Sequence, residues 1–197
     1  MANQPVIEVV DLRKSFGDHE VLKGVNLKVD DGETLVVLGP SGCGKSVLLK
    51  HIIGLMKPDS GRILFEGADI TDMDHKELSR IRMGFGMVFQ GAALFDSMTV
   101  GENVGLPLRE HQQLKGPELQ RIVEEKLGLV GLEDISGLYP SEISGGMKKR
   151  VALARAVALD PDVILYDEPT TGLDPVMAEQ INELIRSIQK KVNATSI

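Results

Sequence analysis

The chain has 197 residues, one cysteine and a formal net charge of −7, with 42% hydrophobic and 26% charged residues. This is ordinary globular composition, enough for one large domain or a domain with a subdomain. The acidic balance argues against nucleic acid as the main partner, the lone cysteine excludes an intrachain disulfide, and no apolar run approaches the roughly 18 residues of a membrane span. With no secretory signal ahead of Val6, a reducing cytosol is the expected setting.

In chain order, Val6–Leu12 alternates and predicts a first strand, followed by a polar turn over Arg13–Glu20 around Gly17. Val21–Val29 predicts more strand, broken at Gly24, and Asp30–Glu33 a tight turn. This opening is expected to form a small, mostly antiparallel sheet. Phe16 is a lone aromatic in the turn. Its position fits an ordinary half-buried packing residue, although an adenine ring could also stack on its face.

Thr34–Leu38 is short, apolar and β-branched and predicts a buried strand. It leads into Gly39-Pro40-Ser41-Gly42-Cys43-Gly44-Lys45-Ser46, which fits the phosphate-cradling pattern G-x-x-x-x-G-K-[ST]. Val47–Ile53 can continue as a helix as far as Gly54. Strand, glycine turn and helix start gather backbone N–H groups and the positive end of a helix dipole around one point, favouring an anion. Lys45 can reach the β- and γ-phosphates, and the Ser46 hydroxyl can ligate Mg²⁺. The chain is therefore expected to bind a nucleoside triphosphate.

Further on, a turn over Pro58–Gly61, a strand over Arg62–Phe65 and helical spacing over Asp74–Met83 follow. Phe85–Phe89 predicts a second buried strand ending at Gln90. Open α/β sheets bind ligands at such strand ends, so Gln90 could serve Mg²⁺ or a water; a solvent-facing loop glutamine fits as well. From Gly91 to Tyr139 strand signals vanish. A short helix within Gly101–Pro107 and an amphipathic one over Pro117–Leu129 are expected, as a helical insertion in an α/β core. Ala92–Phe95 is apolar where the insertion begins, a docking edge or internal packing.

Ser144 is a natural N-cap for a helix over Lys148–Leu159, and Gly145 and Gly146 leave bare backbone for a phosphate. Lys148-Lys149-Arg150 place positive charge in its first turn, which an anion would offset; taken by itself, the stretch fits a plain cap with a solvated basic turn better. Val163–Tyr166 predicts a buried strand ending in Asp167-Glu168, the Walker-B pattern. Asp167 can hold the Mg²⁺ water shell and Glu168 can take a proton from the attacking water. Asp174 caps a helix over Pro175–Val192, and the chain stops at Ile197 at the start of another strand.

The P-loop, Gln90, Ile143-Ser144-Gly145-Gly146, Val163–Glu168 and Gly172-Leu173-Asp174 stand in the order of ABC-transporter ATPase subunits, which nearly the whole chain resembles. The resemblance implies an α/β P-loop NTPase (RecA-like) core with an N-terminal antiparallel β subdomain and an inserted α-helical subdomain. Residues 1–90 and 160–197 would form the core and β subdomain, and 91–159 the helical subdomain with the signature. It also implies that Phe16 stacks on adenine, that Gln90 is the Q-loop, and that Ala92–Pro107 receives the coupling helices of a transmembrane permease. ATP and Mg²⁺ are the implied cofactors, and ATP hydrolysis powering transport the implied activity, with the chain on the inner face of the cell membrane through its permease.

Within that family, Gly145–Ala156, Leu94–Val100 and Pro107–His111 resemble the Mla-type phospholipid transport ATPases, which work with a permease and an MCE-domain protein. An importer ATPase for a small solute such as an amino acid is the alternative; a soluble ABC-type ATPase and a non-hydrolysing nucleotide-binding module are rivals of other kinds. Met147 stands where most of the family has Gln, and Val47 where Thr is commoner. The family's switch histidine falls on a loop after the next strand, so a truncated domain is expected; His19, His51, His75 and His111 all lie upstream. Two phosphate-seeking helix starts, at Gly44 and Gly145, separated by the insertion, predict a head-to-tail dimer in which Ser144 and Gly145 complete the ATP site of a second copy.

Overall fold

The computed structural model describes residues 4–197; residues 1–3, part of the stretch ahead of Val6 read for a secretory signal, lie outside the described residues. Two compact units emerge: the chain up to Arg82 together with Thr195–Ile197, and residues 83–194.

The first unit is built on strands β1 (Ile7–Phe16), β2 (His19–Val29), β3 (Ser60–Phe65) and β4 (Ala68–Asp69), in the sheet order β2-β1-β3-β4. All three pairings are antiparallel, as expected. The polar segment Arg13–Glu20 is not a turn. β1 runs through it to Phe16, and only Gly17-Asp18 reverse the chain before His19 pairs with Phe16. Ladder bonds hold these residues extended while their side chains face water, so polarity marks an exposed part of the hairpin, not its loop. Nor does Gly24 break β2. The ladder shifts register between Val9 and Leu12, where Asp11 takes φ 46° and its N–H donates to Asn26 Oδ1 at 3.0 Å. Such a bulge moves the inward face from Ile7 and Val9 to Leu12, all buried.

Helix α1 (Lys45–Ile52) follows the glycine-rich loop. Gly44 turns into it at φ 103°, and a Cβ there would meet Val21 at 2.9 Å, so both conformation and space demand glycine. Arg82 closes the other end, donating to Ile53 O at 3.2 Å and Gly54 O at 2.6 Å, carbonyls the helix itself leaves over. Helix α2 (His75–Ile81) starts on a capping box between Asp74 and Glu77.

The expected strand Thr34–Leu38 is not realised. Thr34 forms an isolated bridge with Ser196 and Leu35 N–H donates to Ser196 O, but residues 35–40 carry no strand ladder. Val36 and Leu38 are 69% and 88% exposed. The partner strand in this unit, β7 (Thr195–Ser196), is two residues long, so the apolar run has ladder partners only at its start.

The second unit holds the parallel pair β5 (Phe85–Val88) and β6 (Val163–Tyr166), in register from Phe85 opposite Val163 to Val88 opposite Tyr166. All four β5 residues are buried, as a near-continuous apolar run predicts. Between them lie helices α3 (Val100–Gln112), α4 (Gly116–Leu129) and α5 (Gly145–Ala156), and α6 (Pro175–Val192) follows β6. Their apolar faces, with Val104, Leu108, Val123, Leu127, Val151, Leu153, Ile181 and Ile188 among the buried residues, share one core with Val88 and Ile164. Gly86 lets α5 lie close, since a Cβ there would meet Ala156 O at 2.3 Å.

Helix α3 differs from its expectation. It does not stop at Pro107 but carries that proline inside a 13-residue helix. A mid-helix proline costs about 3 kcal/mol. A Thr99–Glu102 capping box at the start and full burial of Val104 and Leu108 on either side of the proline offset it.

Candidate functional site

In the first unit the glycine-rich loop Gly39–Ser46 wraps tightly. A Cβ on Gly39 would meet Cys43 Sγ at 2.6 Å. Lys45 lies over the loop, its ammonium donating to Gly39 O at 2.9 Å and Pro40 O at 3.1 Å. Helix α1 has no side-chain cap and no acidic residue in its first turn. A loop that is tight at Gly39 and Gly44, a lysine cation and an N-terminus without a carboxylate are the donor set a polyphosphate needs. Pro40, Ser41, Gly42 and Cys43 are exposed around it, and Ser46 is half-buried in the first turn of α1.

Phe16 sits at the hairpin tip of the same unit, 47% exposed, with Lys14 Nζ 5.8 Å from its ring centre. The half-exposed ring fits either expectation, packing or stacking. Asp59 braces this tip, accepting from Lys14 Nζ at 2.7 Å and Ser15 N–H at 2.6 Å. The Lys14 ammonium, then the Ser15 amide, hold its carboxyl below the ordinary carboxylate range.

In the second unit the structure brings Gln90 and Glu168 together. Gln90 follows the β5 strand and Glu168 the β6 strand, so parallel pairing sets their backbones side by side. The Gln90 amide donates to Glu168 Oε2 at 3.0 Å, and Thr171 Oγ1 donates to the same oxygen at 3.0 Å. Glu168 stands at φ 47°, a left-handed conformation costing a side-chain-bearing residue about 1–3 kcal/mol. Asp167 is buried at 6% exposure, with its N–H on Val88 O at 2.9 Å. Among the described residues no group of three or more His, Cys, Asp or Glu forms a metal cage. Mg²⁺ suits this chemistry regardless, since it keeps several waters and takes one or two carboxylates plus phosphate oxygens.

Ser144 caps α5, accepting from Met147 N–H at 3.2 Å, and is exposed with Gly145, around which a Cβ would meet nothing within 4 Å. Gly146 is buried, a Cβ there falling 2.6 Å from Met177. Two of the three basic residues behind them are tied inward. Lys149 is 7% exposed and donates to Gln90 O, and Arg150 donates to Val130 O at 3.1 Å.

The apolar segment after Gln90 is partly internal: Ala92 is buried, whereas Ala93 and Phe95 are exposed. Two residues that the sequence reading passed over hold it. Arg155 donates to Ala93 O and Ala92 O at 2.8 Å each. Asn103, fully buried, accepts from Phe95 N–H at 2.8 Å and donates to Phe95 O, Met98 O and Thr99 O at 3.0–3.2 Å. A lone asparagine in an apolar helical stripe was the signal for the second.

Residues 22–171 match the family model described as ABC transporter. The chain is 51% identical over 189 residues to a protein named probable ribonucleotide transport ATP-binding protein mkl, of Mycobacterium leprae, covering 96% of this chain and 54% of that one. It thus spans about half the length of that relative. It is 46% identical over 195 residues to the intermembrane phospholipid transport system ATP-binding protein MlaF of Haemophilus influenzae, covering 99% of this chain and 74% of that one. Among solved structures, the ATP-binding cassette MJ0796, a dimer in a post-hydrolysis state with ADP and Pi, superposes with a TM-score of 0.87 at 35% identity, covering 96% of this chain and 85% of that one.

Proposed function

The chain belongs to the ABC transporter family, and from that premise we propose that it binds and hydrolyses ATP to drive a membrane transporter, with a phospholipid as the cargo. Gly39, Pro40, Ser41, Gly42, Cys43, Gly44, Lys45 and Ser46 hold the phosphates, and Phe16 stacks on the adenine. Bound Mg²⁺ supplies charge neutralisation for the transferring phosphoryl group. Ser46, Gln90 and Asp167 are the residues that would hold it. Glu168 takes the proton of the water that attacks the γ-phosphorus as ADP leaves.

The observation that carries the hydrolytic reading is the Glu168 carboxylate, kept at a strained φ by two donors on one oxygen. Strain retained at a carboxylate beside a strand end is what a pre-positioned base requires. Ser144, Gly145 and Gly146 complete the nucleotide site of a second copy. The exposed, open backbone at Ser144 and Gly145 supports this, as does the dimeric state in which the similar cassette was solved.

The partners are that second copy, a transmembrane permease engaging the Ala92–Pro107 region, and an MCE-domain lipid-binding protein. The protein works at the inner face of the cell membrane through the permease; among the described residues no helix is long and apolar enough to cross a membrane. The phospholipid reading leans on the similarity to MlaF. The higher identity to mkl favours a second reading, a ribonucleotide cargo. Purifying the chain with its permease and identifying the bound molecule by mass spectrometry separates the two.

Activity is tested with Lys45→Ala. Charge-assisted hydrogen bonds are worth roughly 1.5–3 kcal/mol each, so ATP affinity should fall at least about tenfold and phosphate release with it. Equal ATP affinity in the variant would remove the P-loop from the reading.

A further inference from the structure

Helix α5 begins with the exposed Ser144 and Gly145, yet its next turns face inward to the loop after β5. Lys149 buries its ammonium against Gln90 O, and Arg155, two turns on, forks across the carbonyls of Ala92 and Ala93. Those two alanines hold φ 63° and 49°, conformations that persist only where surrounding contacts over-determine them. One helix therefore grips three carbonyls within four consecutive residues of the segment that begins at Gln90.

The Lys149 side chain is buried, and the contact its ammonium makes is with Gln90 O. A buried cation facing a carbonyl is poor use of charge for stability, since an apolar side chain would avoid the desolvation cost. What the contact does accomplish is positional. It fixes the backbone of Gln90, whose side chain reaches Glu168 Oε2.

We propose that Lys149 is a positioning residue: by holding the Gln90 carbonyl it sets the Gln90 amide on Glu168, and so ties the helix carrying Ser144 and Gly145 to the carboxylate that activates water. A change at the exposed start of α5, where a second copy's nucleotide would sit, then reaches Glu168 through two hydrogen bonds and one backbone segment. Arg155 is the second anchor of the same segment, and it keeps the loop attached when the Lys149 contact is altered. The catalytic part of this inference rests on Glu168 acting as the base; the Lys149–Gln90–Glu168 coupling does not.

The test has two arms, so that failure of either idea shows separately. In the first, the side-chain amide of Gln90 is followed by ¹⁵N NMR, assigned by its loss in Gln90→Ala. In the wild type Glu168→Gln should shift that resonance; on a Lys149→Met background the response should vanish, and on Lys149→Arg it should remain. A full response in folded Lys149→Met overturns the proposal whether or not the protein hydrolyses ATP. If Lys149→Met does not fold, Lys149→Leu, which likewise carries no donor, takes its place with the same expected loss.

In the second arm, steady-state hydrolysis by Lys149→Met should show kcat lowered about tenfold with KM for ATP nearly unchanged, and Lys149→Arg should restore most of it. Equal loss in both variants, or a change confined to KM, contradicts a positioning role. A wild type with the NMR coupling but no hydrolysis refutes the catalytic reading and leaves the coupling standing.

Discussion

Gln90 donates its side-chain amide to Glu168 Oε2 across 3.0 Å, joining the ends of two parallel strands. The amide has two ends. With its N–H committed to the carboxylate, its carbonyl oxygen is the end left for a cation or a water. Both uses read from sequence, holding Mg²⁺ or holding a water, remain open to that oxygen.

Glu168→Gln keeps the shape of this contact and removes the basic oxygen. Hydrolysis should fall by about 10²–10⁴, the usual general-base contribution, while ATP binding is retained. Unable to complete turnover, the variant should accumulate as an ATP-bound dimer. Light scattering with and without ATP measures this; a monomer at saturating ATP would sink the shared-site model.

Asn103→Leu should lower stability by about 2 kcal/mol, because Phe95 N–H and the carbonyls of Phe95 and Met98 lose the partner that the fully buried Asn103 side chain supplies. For a chain of this size that is a drop of roughly 4–8 °C in melting temperature. Urea unfolding followed by circular dichroism reads it, and an unchanged midpoint would mean the loop does not depend on this hub.

Asp59 sets a pH dependence whose sign follows from its pairing. The Lys14 ammonium and then the Ser15 amide lower its folded pKa, so its contribution is complete above the unfolded value near about 3.9 and is lost as pH falls through the lower folded one. Protection of the Ser15 amide, its exchange rate taken relative to the intrinsic rate at each pH, should therefore fall over that acid window in the wild type. In Asp59→Ala that protection should be low already at neutral pH and flat across the window. Parallel curves for the two proteins would assign the brace elsewhere.

Cys43 is exposed in the turn before α1. Alkylation there should proceed readily and slow several-fold with saturating ATP, since phosphates cradled by the loop cover the thiol. Intact-mass kinetics with and without nucleotide provide the comparison, and identical rates would place the ligand away from Cys43.

The contacts that position the candidate site were legible to different depths. One helix was read closely: α6 begins at Pro175 behind the Asp174 cap and ends at Val192, as its sequence announces, whereas α5, expected over Lys148–Leu159, begins directly behind its Ser144 cap at Gly145 and ends at Ala156. The polar hairpin Arg13–Glu20 was not, because strand pairing can hold exposed polar residues that composition alone reads as loop. Pro107 misled in the opposite direction, since burial of its helical neighbours outweighs a local breaker.

What the sequence alone determined is the pattern: a glycine-rich loop ahead of Lys45 and Ser46, acids after an apolar strand, and Ser-Gly-Gly at a helix start. Each is a short run whose residue types are its own evidence, because backbone donors, a cation and a carboxylate need no distant neighbour to be recognised. What only the tertiary structure decided is how these runs are held. Lys149 on Gln90, Arg155 on Ala92 and Ala93, and Asn103 on Phe95 are side chains meeting carbonyls 8 to 63 positions away. Every backbone carbonyl is chemically alike in the sequence, so which one a buried donor finds depends on packing alone.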